Sequence, residues 1–467
     1  MGIRVDSTGH FFCRGEDPPA AGSAAAAAGA EPFFYLADTA WMLFSKLTEG
    51  QARTLFEDRA AKGFTAVQAV VFRDLFEPNT ENAYGIRPFA SEADMWAVRM
   101  NPEWLDYVKR IVAVAAEYGL MIGLLPTWGD KWNEHSNSAG PVIMDQDSAE
   151  RYCRTLSDAL AAHENVVWIL GGDSPVQEQR HADTITAMAR GIRSGGSGDR
   201  LITFHPSGLG SSALFHSQDW LDFNALQTSH FRPNVPGYLH IERLFHQQPT
   251  KPCLDMEPNY EYSPMFVLGR GNQLNTPVFD AYDVRKSYYR TVLAGAAGFT
   301  YGCEPIRQLF SEGDRIHIWE DVGLPTWTES LSAPGSSQLS LLPRLLTERS
   351  YFTRLPAPEL FQPIRQAGAW TDAMSIGIPT AGGQNVDPAS HVSVSRFADG
   401  SAVVAYTPVR QLLRIDTSGL RGSRLRLSIW DPQLMALQEE VELQNPGTLA
   451  VVPDRDLDSV IVIDALE

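Results

Sequence analysis

Eight apolar runs recur along this chain, and most of them are apolar without interruption: "PFFYLAD", "FTAVQAVVF", "LMIGLLP", "NVVWILGG", "RLITFH", "DFNALQTSH", "KPCLDME" and "GFTYG". A strand with one wet face alternates apolar and polar residues. A continuous run buries both faces, as strands of a parallel sheet do. Helical segments separate most of the runs. Thr48 and Gln51 stand at capping-box spacing and open a helix that closes on Gly63. Asn101 and Pro102 open another, with Leu105, Val108, Ile111, Val112 and Ala115 on one face and Gly119 at its end. A further helix is predicted from about Ser148 to His163. Strand and helix alternating eight times fit a (β/α)8 TIM barrel. A doubly wound sheet would want a GxGxxG turn after an early strand, and the sequence has none.

Beyond about Leu360 the texture changes. "SAVVAYTP", "LRLSIWDP" and "DSVIVIDALE" are short strands broken by Gly, Asp and Pro, with no long helical face. That pattern predicts an all-β sandwich. The expected division is a barrel over 1–355, carrying an N-terminal hairpin within Met1 to Arg14, and a sandwich over 356–467.

Charge narrows the partners. The net charge is -18 over 467 residues, so nucleic acid and anionic membrane are excluded as expected partners, because both need clustered Lys and Arg. A neutral small molecule or a sugar fits better; an anionic polymer would need local Lys or Arg at the site. No run of eighteen strongly apolar residues appears. Cys13, Cys153, Cys253 and Cys303 form no CxxC pair, which argues against a disulfide framework or a thiolate zinc site. The Ala-rich stretch Ala20 to Ala30 lacks a basic flank and reads as a loop insertion rather than an export signal, so a cytoplasmic location is the expectation. The sequence says nothing of oligomeric state.

In a (β/α)8 barrel the side chains at the carboxyl ends of the strands converge on one pocket. Those ends carry Asp38 and Trp41, Gln68, the "TWGDKW" loop with Trp128, Asp130 and Lys131, then Asp173, His205, His230, Glu257 with Tyr260, and Tyr301 with Glu304. Asp173 and Glu257, ending strands four and seven, are the pair that glycoside hydrolysis needs: one carboxyl protonates the leaving oxygen, the other attacks the anomeric carbon or activates water. The aromatic, His and Gln side chains suit a sugar, stacking on its ring and binding its hydroxyls. Bland readings compete. Asp173 could cap a helix, Asp38 could order a turn, either His could be a structural hydrogen-bonder, and "TWGDKW" could be a packed loop. The strand-four and strand-seven pairing favours catalysis. A metal-dependent barrel hydrolase would want an HxH pair at strand one, where "ADTAW" stands. Neither metal nor cofactor is expected.

Together "FFYLADTAWMLFSKLT", "DRAAKGFTAVQAVVF", "YGLMIGLLPTWGDKW", "VVWILGGDSP" and "LDMEPNYE" resemble the apiosidase-like catalytic domain of glycoside hydrolase family 140. The all-β C-terminus is similar to that family's accessory module, which carries a collagen-binding label. The resemblance implies an Asp173 acid/base, a Glu257 nucleophile and release of a terminal β-apiosyl unit from pectic or small-molecule glycosides. An arabinofuranosidase-type activity is the alternative, and a non-catalytic carbohydrate- or matrix-binding protein the more distant one. Ser174 after the GGD triplet and Glu304 after strand eight depart from the family pattern.

Overall fold

In a computed structural model, the structure describes residues 2–15, 30–73, 75–136, 140–230, 233–265, 277–315, 323–362 and 389–466. Each of the eight apolar runs contains a strand: β1 (Tyr35–Thr39), β2 (Ala66–Val70), β3 (Met121–Leu125), β4 (Val166–Gly171), β5 (Ile202–His205), β6 (Asn224–Gln227), β7 (Cys253–Asp255) and β8 (Gly298–Tyr301). Every residue of these strands is buried. β8 pairs with β1, and the ladder runs parallel from β1 to β5 on one side and from β8 to β6 on the other.

The seam lies between β5 and β6. No ladder forms there; single bonds close it. Asp222 N donates to Ile202 O at 2.9 Å, Ile202 N to the Asp222 carboxylate at 2.6 Å, and the Thr203 hydroxyl to Phe223 O at 2.7 Å. The short strand Gly210–Ser211, which the sequence reading did not anticipate, pairs antiparallel with β6.

The principal helices are α1 (Glu49–Ala61), α2 (Pro102–Glu117), α3 (Gln146–Ala159), α4 (Gln179–Ser194), α5 (Gly237–Phe245), α6 (Ala281–Leu293) and α7 (Leu341–Thr347). The Thr48–Gln51 capping box is present at α1, and Asn101 caps α2 with Pro102 in its first turn. The third helix starts earlier than expected, at Gln146. Asp145 accepts from Ser148 N there, so Ser148 lies in the first turn instead of before it. No helix among the described residues is long and apolar enough to cross a membrane.

The N-terminal strands Arg4–Val5 and Phe12–Arg14 form the expected hairpin, and Glu31–Phe33 adds to it. Most of the Ala-rich stretch, residues 20–29, lies outside the described residues. All four cysteines are buried thiols, outside any disulfide.

The C-terminal module packs a six-stranded antiparallel sheet and a two-stranded one around its own core of Val394, Leu413, Ile415, Leu425, Ile461 and their neighbours. The larger sheet takes its edge strand from Arg354–Pro356, across the expected division at 355 and 356. The module is docked on α6. Arg285 grips Asp458 through two bonds of 2.9 and 3.0 Å, and Tyr289 stacks on Tyr406 at 4.8 Å.

Candidate active site

The carboxyl end of β4 is built by glycine. Gly171, Gly172 and Asp173 have φ of +97°, +99° and +50°, three successive residues in the region that favours glycine. A Cβ on Gly171 would stand 2.4 Å from His205 O; one on Gly172 would stand 2.9 Å from Gly129 N. The backbone therefore turns sharply between two neighbouring loops and presents Asp173. The "TWGDKW" loop is latched to this turn. Gly129 N donates to Gly172 O at 3.0 Å, and the Trp132 indole N–H to Gly171 O at 3.0 Å. Asp173 is a non-glycine residue held in a left-handed conformation, a strain that persists where the surroundings enforce it.

Glu257 is held differently. Its Oε1 lies 3.1 Å from His230 Nε2, and its Oε2 lies 3.1 Å from His205 Nε2. The first contact is a well-directed hydrogen bond. The second is close but out of line, so it counts as an ion pair rather than a full bond. The far nitrogen of each ring faces a proline carbonyl: His205 Nδ1 is 3.0 Å from Pro206 O, and His230 Nδ1 is 3.0 Å from Pro258 O. A proline carbonyl can only accept. His205 thus has an acceptor at Nδ1 and the Glu257 carboxylate beside Nε2, an arrangement that favours the imidazolium. Main-chain bonds align the strands that bring these groups together, with Ser229 N donating to Glu257 O at 2.8 Å and Met256 N to Leu226 O at 2.8 Å.

The two acids are driven apart in proton affinity. Burial, with the charge of Glu257 second, pushes Asp173 up to about 6. Burial would also raise Glu257, but bonds and charge from His205 and His230 outweigh it and hold the carboxyl well below the usual range. Burial opposes protonation of His205, yet Glu257 and Asp173 together raise its affinity above the ordinary imidazole value. Near neutral pH the site therefore couples a readily protonated acid to a fully ionised one.

Aromatic rings line this pair. Trp41 meets His205 edge-on at 5.5 Å and Trp128 at 5.3 Å; Tyr260 lies 4.1 Å from the His230 ring. Gly302 leaves room for Tyr260, since a Cβ there would come within 2.0 Å of its ring.

Other expected site residues are engaged in the scaffold. Asp38 is fully buried, with Arg59 Nε at 2.6 Å and Thr39 N at 2.7 Å. Tyr301 donates to Glu261 at 2.6 Å, and Glu304 takes Arg307 Nε at 2.9 Å. Gln68 donates to Thr300 at 2.7 Å inside the barrel. Lys131 lies 3.2 Å from Asp130, whose carboxylate also accepts from Gly140 N at 3.0 Å, so these two order their own loop.

Three residues near the acids were missed from the sequence. Gln227, at the end of β6, favours the ionised form of Asp173, and the charges of Arg73 and Arg307 act on Glu257. Arg73 and Gln227 stand at strand ends, so the rule that selected Gln68 and His230 could have found them.

Among the described residues, one group of possible metal ligands comes together: Glu134 on the loop after β3, Glu178 on the loop after β4, and His181 in the first turn of α4. Arg180 pairs with both glutamates there.

A family model for the apiosidase-like catalytic domain matches residues 25–353. The chain belongs to the apiosidase-like family. Among solved structures, a protein described as a glycoside hydrolase superposes with a TM-score of 0.79 at 23% identity, covering 99% of this chain and 97% of that one. A glycoside hydrolase family 5 protein from Bacteroides vulgatus ATCC 8482 gives 0.81 at 22% identity, covering 99% and 94%. These likenesses show a shared fold. No curated protein matches the sequence. The family and this fold make the chain a glycoside hydrolase with a carbohydrate substrate.

Proposed function

We propose that the chain is a retaining exo-glycosidase that releases a terminal β-apiosyl unit, with Asp173 as acid/base and Glu257 as nucleophile. The observation that carries this reading is the placement of two buried carboxyls just past the ends of β4 and β7, one turned in by glycines and the other flanked by two imidazoles. Glu257 Oε attacks the anomeric carbon as the bond to the leaving oxygen breaks, and Asp173 gives that oxygen its proton. Water then attacks the glycosyl-enzyme ester. Asp173, now a carboxylate, takes the water's proton, and the Glu257–carbon bond breaks. Retention requires the carboxyls about 5–5.5 Å apart.

His205 and His230 support the nucleophile by keeping it ionised. Of the two roles open to them from sequence, hydroxyl binder or hydrogen-bonder within the protein, the distances favour the second, with Glu257 as the partner. Trp41 and Trp128 fit a wall for the sugar. Arg73 and Arg307 put positive charge beside the acids, which eases the objection that a chain of charge -18 repels a pectic substrate. A furanose offers few hydroxyls, so discrimination rests on pairing those few. The test is kcat/KM on nitrophenyl apiosides, arabinofuranosides and pyranosides. The apioside should be best; a preferred arabinofuranoside would move the assignment to the alternative sugar, and a preferred pyranoside would overturn the furanose reading.

A further inference from the structure

Arg73 follows β2 by three residues and is 6% exposed. No hydrogen bond or ion pair joins its guanidinium to any described residue, and Nε is buried without a partner. Its contact is the face of Trp128, with Cζ 3.8 Å from the ring centroid. Every other buried arginine among the described residues has at least one oxygen partner, although single nitrogens of Arg59, Arg290 and Arg354 also lack one. Arg59 is on Asp38, Arg307 on Glu304, Arg285 on Asp458, and Arg354 Nη2 donates to Ala296 O at 2.7 Å. A buried guanidinium without an oxygen partner is costly to keep. Stacking on an indole returns only part of that cost.

The surroundings of Arg73 indicate what is missing. The charges that act on it are Arg307, then Glu257, Asp130 and Asp173. Burial, with Arg307 second, lowers its proton affinity to about 10, so it stays charged at neutral pH. The candidate acid and nucleophile both lie within its field, so a substrate at those two carboxyls comes close to this fork. Guanidinium N–H groups are coplanar and suit two oxygens of one partner.

We propose that Arg73 is a substrate-anchoring residue whose terminal N–H groups bind a pair of substrate oxygens, those of a carboxylate or a vicinal diol, next to the scissile bond. The proposal rests on Asp173 and Glu257 being the reacting carboxyls. It assigns to this buried charge the partner that the protein itself does not provide, and it gives the Trp128 ring a second task, holding the fork in plane.

The test is Arg73→Met and Arg73→Lys in the full chain, with KM, kcat and thermal midpoint read separately. Two substrates are compared: a neutral nitrophenyl apioside, and an apioside whose aglycone is a uronic acid. Arg73→Met should raise KM about 10- to 100-fold on at least one of them, the range of a charged hydrogen bond. Its midpoint should equal or exceed that of the wild type, because an unpaired buried charge has been removed. Arg73→Lys keeps the charge without the fork and should fall between. A loss confined to the uronide assigns the oxygen pair to a carboxylate of the leaving group; a loss on the neutral apioside assigns it to the sugar's own diol. An unchanged KM on both substrates, or a midpoint clearly below wild type, would overturn the proposal, since the arginine would then be a structural part. Asp173→Asn and Glu257→Gln serve as controls: if either retains wild-type turnover, the catalytic reading fails independently of what Arg73 does.

Discussion

Asp173 and Glu257 bear the same functional group at equivalent places on the barrel, yet the chain holds them by opposite means. Asp173 is placed by its backbone: two glycines and a left-handed φ turn it into the site. Glu257 is placed by side chains, with an imidazole on each oxygen. The first environment stabilises the protonated form and the second the anion. Proton affinity here follows from what surrounds a carboxyl, and the two roles in the reaction follow from that.

The most severe way to break the comparison is to remove one of its members. Glu257→Gln should lower kcat by several orders of magnitude, since no covalent intermediate can form. Asp173→Asn should cost about 10²–10⁴-fold, the usual worth of acid–base assistance, and less with a nitrophenolate leaving group that hardly needs a proton. Steady-state kinetics on folded variants, checked by circular dichroism, decide this.

The backbone half of the comparison is tested at Gly172. Gly172→Ala forces a side chain onto Gly129 N at a φ of +99°. It should destabilise the fold by about 1–3 kcal/mol and depress turnover by displacing Asp173. Denaturant midpoints and kcat measure the two effects. An alanine variant with native stability and activity would show that the turn does not place the acid.

The side-chain half is tested at the imidazoles. His230→Ala removes a hydrogen-bond partner from Glu257 and His205→Ala an ion-pair partner, so its proton affinity rises in both. The acidic limb of the kcat/KM profile should then move to higher pH in both variants. An unmoved limb with a raised KM would return these residues to hydroxyl binding.

A smaller effect is expected on stability. Asp173 takes up its proton at about 6 in the fold, against an ordinary 3.8. Ionising it therefore opposes folding. That cost is absent below the ordinary value, grows as pH rises towards 6, and is constant above. Asp173→Asn should thus be the more stable protein at pH 7.5 and match the wild type at pH 3.5. Thermal midpoints at the two pH values check it, and a variant less stable at both would contradict the burial argument.

Much of this was legible in the sequence, and the gaps have physical causes. The eight strands could be read because continuous apolar runs between helix caps leave few alternatives. Asp173 and Glu257 could be read because each ends such a run. The fate of Asp38 could not, because Arg59 reaches it from a helix and only the fold brings them within 2.6 Å. Tyr301 and Glu304 are engaged by Glu261 and Arg307 in the same way. The histidines could be placed at strand ends but not assigned between hydrogen-bonding and substrate binding, since strand position alone does not say whether a side chain faces substrate or nucleophile. Arg73 could have been read from its place past the end of β2; what the sequence does not show is that its Nε is buried without a partner.

The division of labour between the two carboxyls is tested most directly by trapping with azide. Asp173→Ala and Glu257→Ala are each incubated with a nitrophenyl β-apioside and sodium azide, and the anomeric configuration of the glycosyl azide is read by NMR. In Asp173→Ala, azide should displace Glu257 from the glycosyl-enzyme and give the β-azide, with configuration retained. In Glu257→Ala, azide should enter the vacant nucleophile position and give the α-azide, inverted. The reverse pattern, or the same anomer from both variants, would contradict the account.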